Sequence, residues 1–176
     1  MARIPRFEVE HWMNTYETTP GVLNIAETCS ASISIDELRS LSDDKSTPPI
    51  NTSTILGYGT IPGSDGLRQL IAKHHGGEEF KADNVIVSQG AISANFLTLF
   101  TLLGKGDHVV CVHPTYQQLY EVPRALGAEV TLWELKAEDS FVPKTSELPG
   151  LTRENTKVCL AWTCRYSFRC PNGAYR

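Results

Sequence analysis

The chain has 176 residues, 41% hydrophobic and 20% charged, which is the profile of a folded globular protein with enough length for one domain or one and part of a second. Its net charge of −4 argues against a general nucleic-acid binder, which needs clustered Lys and Arg against phosphate. No apolar run reaches the ~18 residues of a membrane helix, and the opening MARIPRFEVEHW lacks the apolar core of a secretory signal, so the expected location is the cytosol.

In chain order, residues 7–16 (FEVEHWMNTY) predict a short helix and residues 21–30 (GVLNIAETCS) a short strand. Ser34, followed by Ile35, Asp36 and Glu37, is a predicted N-cap with acids in the first helical turn. Residues 42–66 are rich in Ser, Thr, Pro and Gly and predict a loop. It is long for a plain connection, and such loops usually carry function. Leu67, Leu70, Ile71 and His74 recur at the spacing of one helix face, closed by Gly76 and Gly77. NVIVSQG (84–90) predicts a strand that ends in glycine. AISANFLTLFTLL (91–103) predicts a helix apolar on most sides, and so heavily buried. HVVCV, from His108, predicts the next strand. TYQQLYEVPRAL predicts a helix interrupted or ended near Pro123. GAEVTLWEL predicts a third strand and TKVCLAW (156–162) a fourth.

Alternating strands and helices of this length, with strands apolar throughout, specify an α/β fold with a mostly parallel sheet and helices on both faces. In such folds ligands sit beyond the carboxyl ends of the strands, and three features fall there or in the long loop. Gly90 lets the chain turn sharply from strand to helix. The N–H groups of Ala91 and Ile92 then stand at the positive helix end, a pocket suited to phosphate or simply a tight turn. Tyr116, after His113, Pro114 and Thr115, is placed either to stack on a flat ligand or to pack as an ordinary aromatic. Tyr58, among Gly57, Gly59 and Gly63, offers a phenol to a phosphate or serves as a turn residue. The five cysteines (Cys29, Cys111, Cys159, Cys164 and Cys170) are odd in number and fit no zinc spacing, so they read as unpaired thiols with no metal site. No P-loop, dinucleotide fingerprint or nucleophile elbow is present.

Several stretches resemble the class I/II aminotransferases, the fold-type I enzymes dependent on pyridoxal 5′-phosphate. They are LNIAETCSASISIDELRSL, GYGTIPGSDGLRQLIAKHH, and the run from NVIVSQGAISANF through GKGDHVVCVHPTYQQLY to ALGAEV. They follow the family's order from about residue 20 to 157. The resemblance implies that Gly90, Ala91 and Ile92 hold the cofactor phosphate and that Tyr116 stacks on its ring. It also implies that Tyr58 reaches the phosphate of a neighbouring subunit, hence a homodimer, with an amino acid and a 2-oxo acid as substrates. It divides the chain into an N-terminal segment and loop (1–57), part of the cofactor-binding large domain (58–157), and an atypical tail (158–176).

The tail departs from the family pattern. Where the family carries an NNPxNPTG-like motif, this chain reads VCLAWTCRYSFRCPNGAYR, which suggests sequence read out of frame or through an unspliced intron. The family's later parts have no counterpart: the carboxylate on the pyridine nitrogen, the lysine that holds the cofactor covalently, and the arginine for the substrate carboxylate. Lys73, Lys81, Lys105, Lys136, Lys144 and Lys157 lie in no matching motif, so no catalytic residue is assigned. The expectation is an aminotransferase portion, inactive and poorly soluble alone. The alternatives are a lyase of the aminocyclopropane-carboxylate-synthase type, and a non-catalytic paralogue that associates with a full-length partner.

Overall fold

The computed structural model describes residues 3–26, 29–75 and 79–161. These form two compact units, one of residues 3–11 and 87–161, the other of residues 12–86. The last residues of the sequence, including Cys164, Cys170 and most of the predicted tail, lie outside the described residues.

The first unit contains the sheet. Its strands are β1 (His108–His113), β2 (Glu129–Glu134) and β3 (Thr156–Leu160), all parallel, in the order β2-β1-β3. His108 pairs with Glu129 of β2 and with Thr156 of β3, and the register with β3 slips between His108 and Val109. The central strand has helices on both sides, and the alternation of its side chains shows why. Val109 and Cys111 point to one face, where they pack with Leu99 and Leu103 from helix α4 (Gly90–Leu102) and its end. Leu119 and Val122 of helix α5 (Gln118–Ala125) complete that layer. Val110 and Val112 point the other way, toward Trp133, Leu148 and Leu151, the last two in the short helix α6 (Leu148–Leu151). All of β1 but His113 is buried, as a strand covered on both faces must be.

Helix α5 tolerates Pro123 in its last turn, where the ring is fully buried. Gly127 follows at φ +88, and Ala128 N–H donates back to the Pro123 carbonyl at 3.0 Å. That left-handed glycine closes the helix and aims the chain into β2.

The second unit contains helix α2 (Ile35–Leu41) and helix α3 (Asp65–His75). The predicted cap is present: Glu37 N–H donates to Ser34 Oγ at 3.1 Å, and Ser34 N–H donates to Glu37 Oε2 at 2.7 Å. This reciprocal pair satisfies two donors at the helix start. In α3 the buried residues are Arg68 and Ala72, not the predicted stripe; Leu67 and Leu70 are exposed. Arg68 wins the interior because its guanidinium is satisfied there. It donates to the Val85 carbonyl at 2.9 Å and to the Asp65 and Asp83 carboxylates at 3.2 Å each, as a buried cation requires.

Three further expectations need correction. The predicted strand at 84–90 joins no ladder: Val85 is extended (φ −115, ψ 126), but the stretch has no strand neighbour among the described residues. Residues 21–26 likewise form no strand, with Leu23 and Ile25 exposed. Helix α4 is not buried all round. Only Leu99 within it is buried, while Ile92, Phe96, Leu97, Phe100 and Leu102 stay exposed. A helix apolar on every side needs neighbours on every side, and the described residues supply them on one. The remaining helix, α1 (Glu8–Tyr16), forms where the sequence places it. Among the described residues no helix is long and apolar enough to cross a membrane.

Candidate cofactor site

The site lies at the carboxyl end of β1. Helix α4 runs back from its amino terminus to the start of β1, so its first turn stands where β1 ends and the chain turns into α5. Gly90 opens α4 at φ +72, a conformation that costs other residues about 1–2 kcal/mol. A Cβ at Gly90 would meet no atom within 4 Å, so the backbone conformation demands glycine there and the space beside it is open. Gly90 N–H donates to the Ser88 carbonyl at 3.0 Å and Ser88 Oγ to the Gly90 carbonyl at 3.3 Å, which tightens the turn. The N–H groups of Ala91 and Ile92 belong to the first turn, where no intrahelical carbonyl reaches them. Gln89, at the cap, makes no side-chain capping bond.

Gln118 fixes this turn against α5. It is 3% exposed, its Nε2 donates to the Ile92 carbonyl at 2.7 Å, and its Oε1 accepts from Asn95 Nδ2 at 3.2 Å. Both ends of the carboxamide are spent holding the first turns of two helices together.

Tyr116 stands just before α5, after a cis His113–Pro114 peptide. Its hydroxyl donates to Glu10 Oε1 at 2.6 Å, and its ring stands perpendicular to Phe7, 5.9 Å between centroids. Burial and the Glu10 carboxylate push the phenol up to about 12. An edge-to-face pair uses at most one face of each ring, and Tyr116 is only half-buried. Thr115 Oγ1, next to it, is buried with no hydrogen-bond partner; such an atom is an unspent polar group at the strand end.

A cleft of about 600 Å³ adjoins the turn, lined by Ile4, Phe7, Val87, Ser88, Gln89, Ile92, Ser93, Phe96, Leu97, Gln118 and Val122. Phe7 links it to Tyr116, and Ile92 and Gln118 link it to the α4–α5 junction. The lining is apolar apart from Ser88, Gln89, Ser93 and Gln118, and holds no carboxylate that would repel an anion. Among the described residues it also holds no lysine.

The structure therefore brings Gly90, Ala91, Ile92 and Tyr116 to one end of one unit. Tyr58 belongs to the other unit, with its side chain fully exposed. Of the lysines, Lys105 precedes β1 and Lys157 is the second residue of β3, both toward the amino ends of the strands. Lys144 is paired with Asp139 at 2.6 Å. Sequence reading missed Phe7, Glu10, Gln117 and Gln118. The visible signal was the pair of carboxamides directly after Tyr116, at the start of a helix.

An open glycine turn at a helix amino terminus and a tyrosine beside it, at the carboxyl edge of a parallel sheet, define an α/β protein with its candidate site where such folds place their ligands. The family model for aminotransferase class I and II matches residues 44–165, and the chain belongs to that family. It is 32% identical over 106 residues to an aspartate aminotransferase of Sulfurisphaera tokodaii, covering 58% of this chain and 27% of that protein. Over 104 residues it is 31% identical to the arginine–pyruvate transaminase of Pseudomonas aeruginosa, covering 57% of this chain and 26% of that protein. The fold matches the crystal structure of a PLP-dependent aminotransferase from Streptococcus suis with a TM-score of 0.77 and 34% identity, over 89% of this chain and 42% of that one. The chain thus spans well under half of the relatives it matches.

The family implies pyridoxal 5′-phosphate, and the residues present fit one end of it. The open turn at Gly90 and the N–H groups of the first helical turn suit its phosphate, and the half-buried ring of Tyr116 suits its ring. Among the described residues no lysine lines the cleft to hold it covalently.

Proposed function

We propose that this chain supplies the phosphate cup and ring-stacking residue of a pyridoxal-phosphate-dependent aminotransferase, an enzyme that moves an amino group between an amino acid and a 2-oxo acid. The observation that carries this reading is the Gln118 bridge, which holds the donor turn at Gly90–Ile92 against the helix that Tyr116 introduces. The N–H groups of Ala91 and Ile92 bind the phosphate dianion and the positive helix end strengthens that bond. Ser93 lines the same cleft and adds a hydroxyl donor. The ring of Tyr116 restrains the ligand plane. Bound pyridoxal phosphate supplies a carbonyl that condenses with amines and a ring that accepts electron density. With no lysine among the described residues that line the cleft, the isolated chain binds the vitamer without turnover. In the assembled enzyme, a homodimer, Tyr58 reaches the phosphate of the neighbouring subunit.

Binding is tested with pyridoxine 5′-phosphate, which has no aldehyde and cannot react with surface lysines. Equilibrium dialysis should give saturable binding of one ligand per chain, weakened at least tenfold in Gly90→Val, with circular dichroism confirming that the variant folds. No saturation in the parent chain, or equal affinity in a folded Gly90→Val, overturns the reading.

A further inference from the structure

The amino-terminal residues of the first unit make contacts that the cofactor reading leaves unused. Gln117, immediately after Tyr116, is in αR conformation at the start of α5, yet its side chain caps nothing in that helix. It reaches across the chain instead. Its Nε2 donates to the Arg6 carbonyl at 3.0 Å, and its Oε1 accepts from Glu8 N–H at 3.0 Å. One carboxamide thus grips the backbone on both sides of Phe7, the two-point pairing one peptide group makes with another in a sheet ladder. Between these two bonds Phe7 is presented to the Tyr116 ring. Two residues beyond them, Glu10 accepts the Tyr116 hydroxyl.

We propose that Gln117 is a positioning residue: it pins residues 6–8 so that Phe7 and Glu10 together fix the plane and hydroxyl of Tyr116, and the pinned segment serves as a wall of the cofactor site. The clamp itself stands on these contacts alone; its role toward a cofactor rests on the function proposed above. A residue restrained through its ring and its hydroxyl holds one defined plane against a planar ligand. A tyrosine free to rotate about its side-chain bonds would lose that freedom only on binding, at a cost in affinity. Gln118 and Gln117 divide the work: one carboxamide sets the phosphate turn, the next sets the ring. Phe7, held by this clamp, lines one side of the cleft together with Ile4.

Nitration by tetranitromethane at pH 8 tests the clamp without any ligand, because the reagent attacks phenolate. The phenol at about 12 has roughly a hundredth of the phenolate of an ordinary tyrosine near 10. Peptide mass mapping should therefore find Tyr116 nitrated far more slowly than the fully exposed Tyr58. Gln117→Met keeps the side chain's length but can form neither hydrogen bond, and should raise the Tyr116 rate about tenfold or more while leaving Tyr58 unchanged. Glu10→Ala, an exposed position that the fold does not need, should raise it as well. Equal Tyr116 rates in the parent and Gln117→Met, or a parent Tyr116 as reactive as Tyr58, overturn the clamp. Dialysis with pyridoxine 5′-phosphate then tests the wall: affinity should fall about tenfold in Gln117→Met, and unchanged affinity against a binding parent overturns the positioning role. A parent that binds no vitamer overturns the proposed function instead, and the nitration rates still decide the clamp.

Discussion

Gln118 and Ile92 are joined by a 2.7 Å hydrogen bond that ties the first turn of α4 to the first turn of α5. The bond crosses 26 residues of sequence and is made by a side chain almost wholly removed from water. Its other end accepts from Asn95, so the carboxamide needs both its polarity and its orientation.

The first prediction follows from that double use. Gln118→Leu removes both bonds and leaves the Asn95 amide without its partner, which should cost about 1–3 kcal/mol of stability. Gln118→Glu should be worse, although it is the closer isostere. It places a charge in a buried position and turns an oxygen toward the Ile92 carbonyl where a donor is needed. Urea denaturation at pH 7 should rank the parent above Gln118→Leu and Gln118→Glu last. Equal stability of all three chains would show that the bridge contributes nothing.

The second prediction concerns the opposite end of the sheet. His108 is fully buried and joins all three strands, with Nδ1 2.8 Å from Thr156 Oγ1 and Nε2 2.8 Å from Thr131 Oγ1. Thr156 Oγ1 already accepts from Arg153 N–H at 2.7 Å, so its proton is free for Nδ1, and Nε2–H then donates to Thr131. These two hydroxyls can satisfy a neutral imidazole, with one bond accepted and one donated. Burial, aided by the Arg153 charge and opposed by Glu129, lowers its pKa below the usual 6.5. The unfolded chain therefore binds a proton at a pH where the folded chain does not, and stability must fall as pH drops through about 6.5. The urea midpoint should decrease from pH 7.5 to 5.5, and this drop should be smaller in His108→Gln. A drop of the same size in both chains would refute the assignment.

How far the sequence reveals this fold depends on the range of the forces involved. Strands β1, β2 and β3 and helix α5 were legible because continuous apolar runs and helical spacing are local patterns. Gly90 was legible because a sharp entry into a helix needs a conformation that glycine adopts freely. The stretch 84–90 has the composition of a strand, but a strand is defined by hydrogen bonds to a neighbour, and composition does not supply one. In α3 the apolar spacing pointed to Leu67 and Leu70, while three specific acceptors decided for Arg68. The roles of Gln117 and Gln118 were invisible for the same reason: their partners lie 111 and 26 residues away along the chain.

The third prediction arises from the apolar surface of α4. Phe96 and Phe100 stack at 5.8 Å with an interplanar angle of 18°, yet they are 39% and 60% exposed. Ile92, Leu97 and Leu102 are exposed on the same helix. Fully burying such a side chain is worth about 1.5–3 kcal/mol, and here a large part of that is unrealised. The face should therefore take up a hydrophobic dye: the folded chain should enhance the fluorescence of anilinonaphthalene sulfonate. Phe100→Ser should reduce that enhancement while changing unfolding stability by no more than about 0.5 kcal/mol, as for a surface substitution. A large loss of stability in Phe100→Ser would instead mean that the ring is packed in solution, and that α4 is covered where this structure leaves it open.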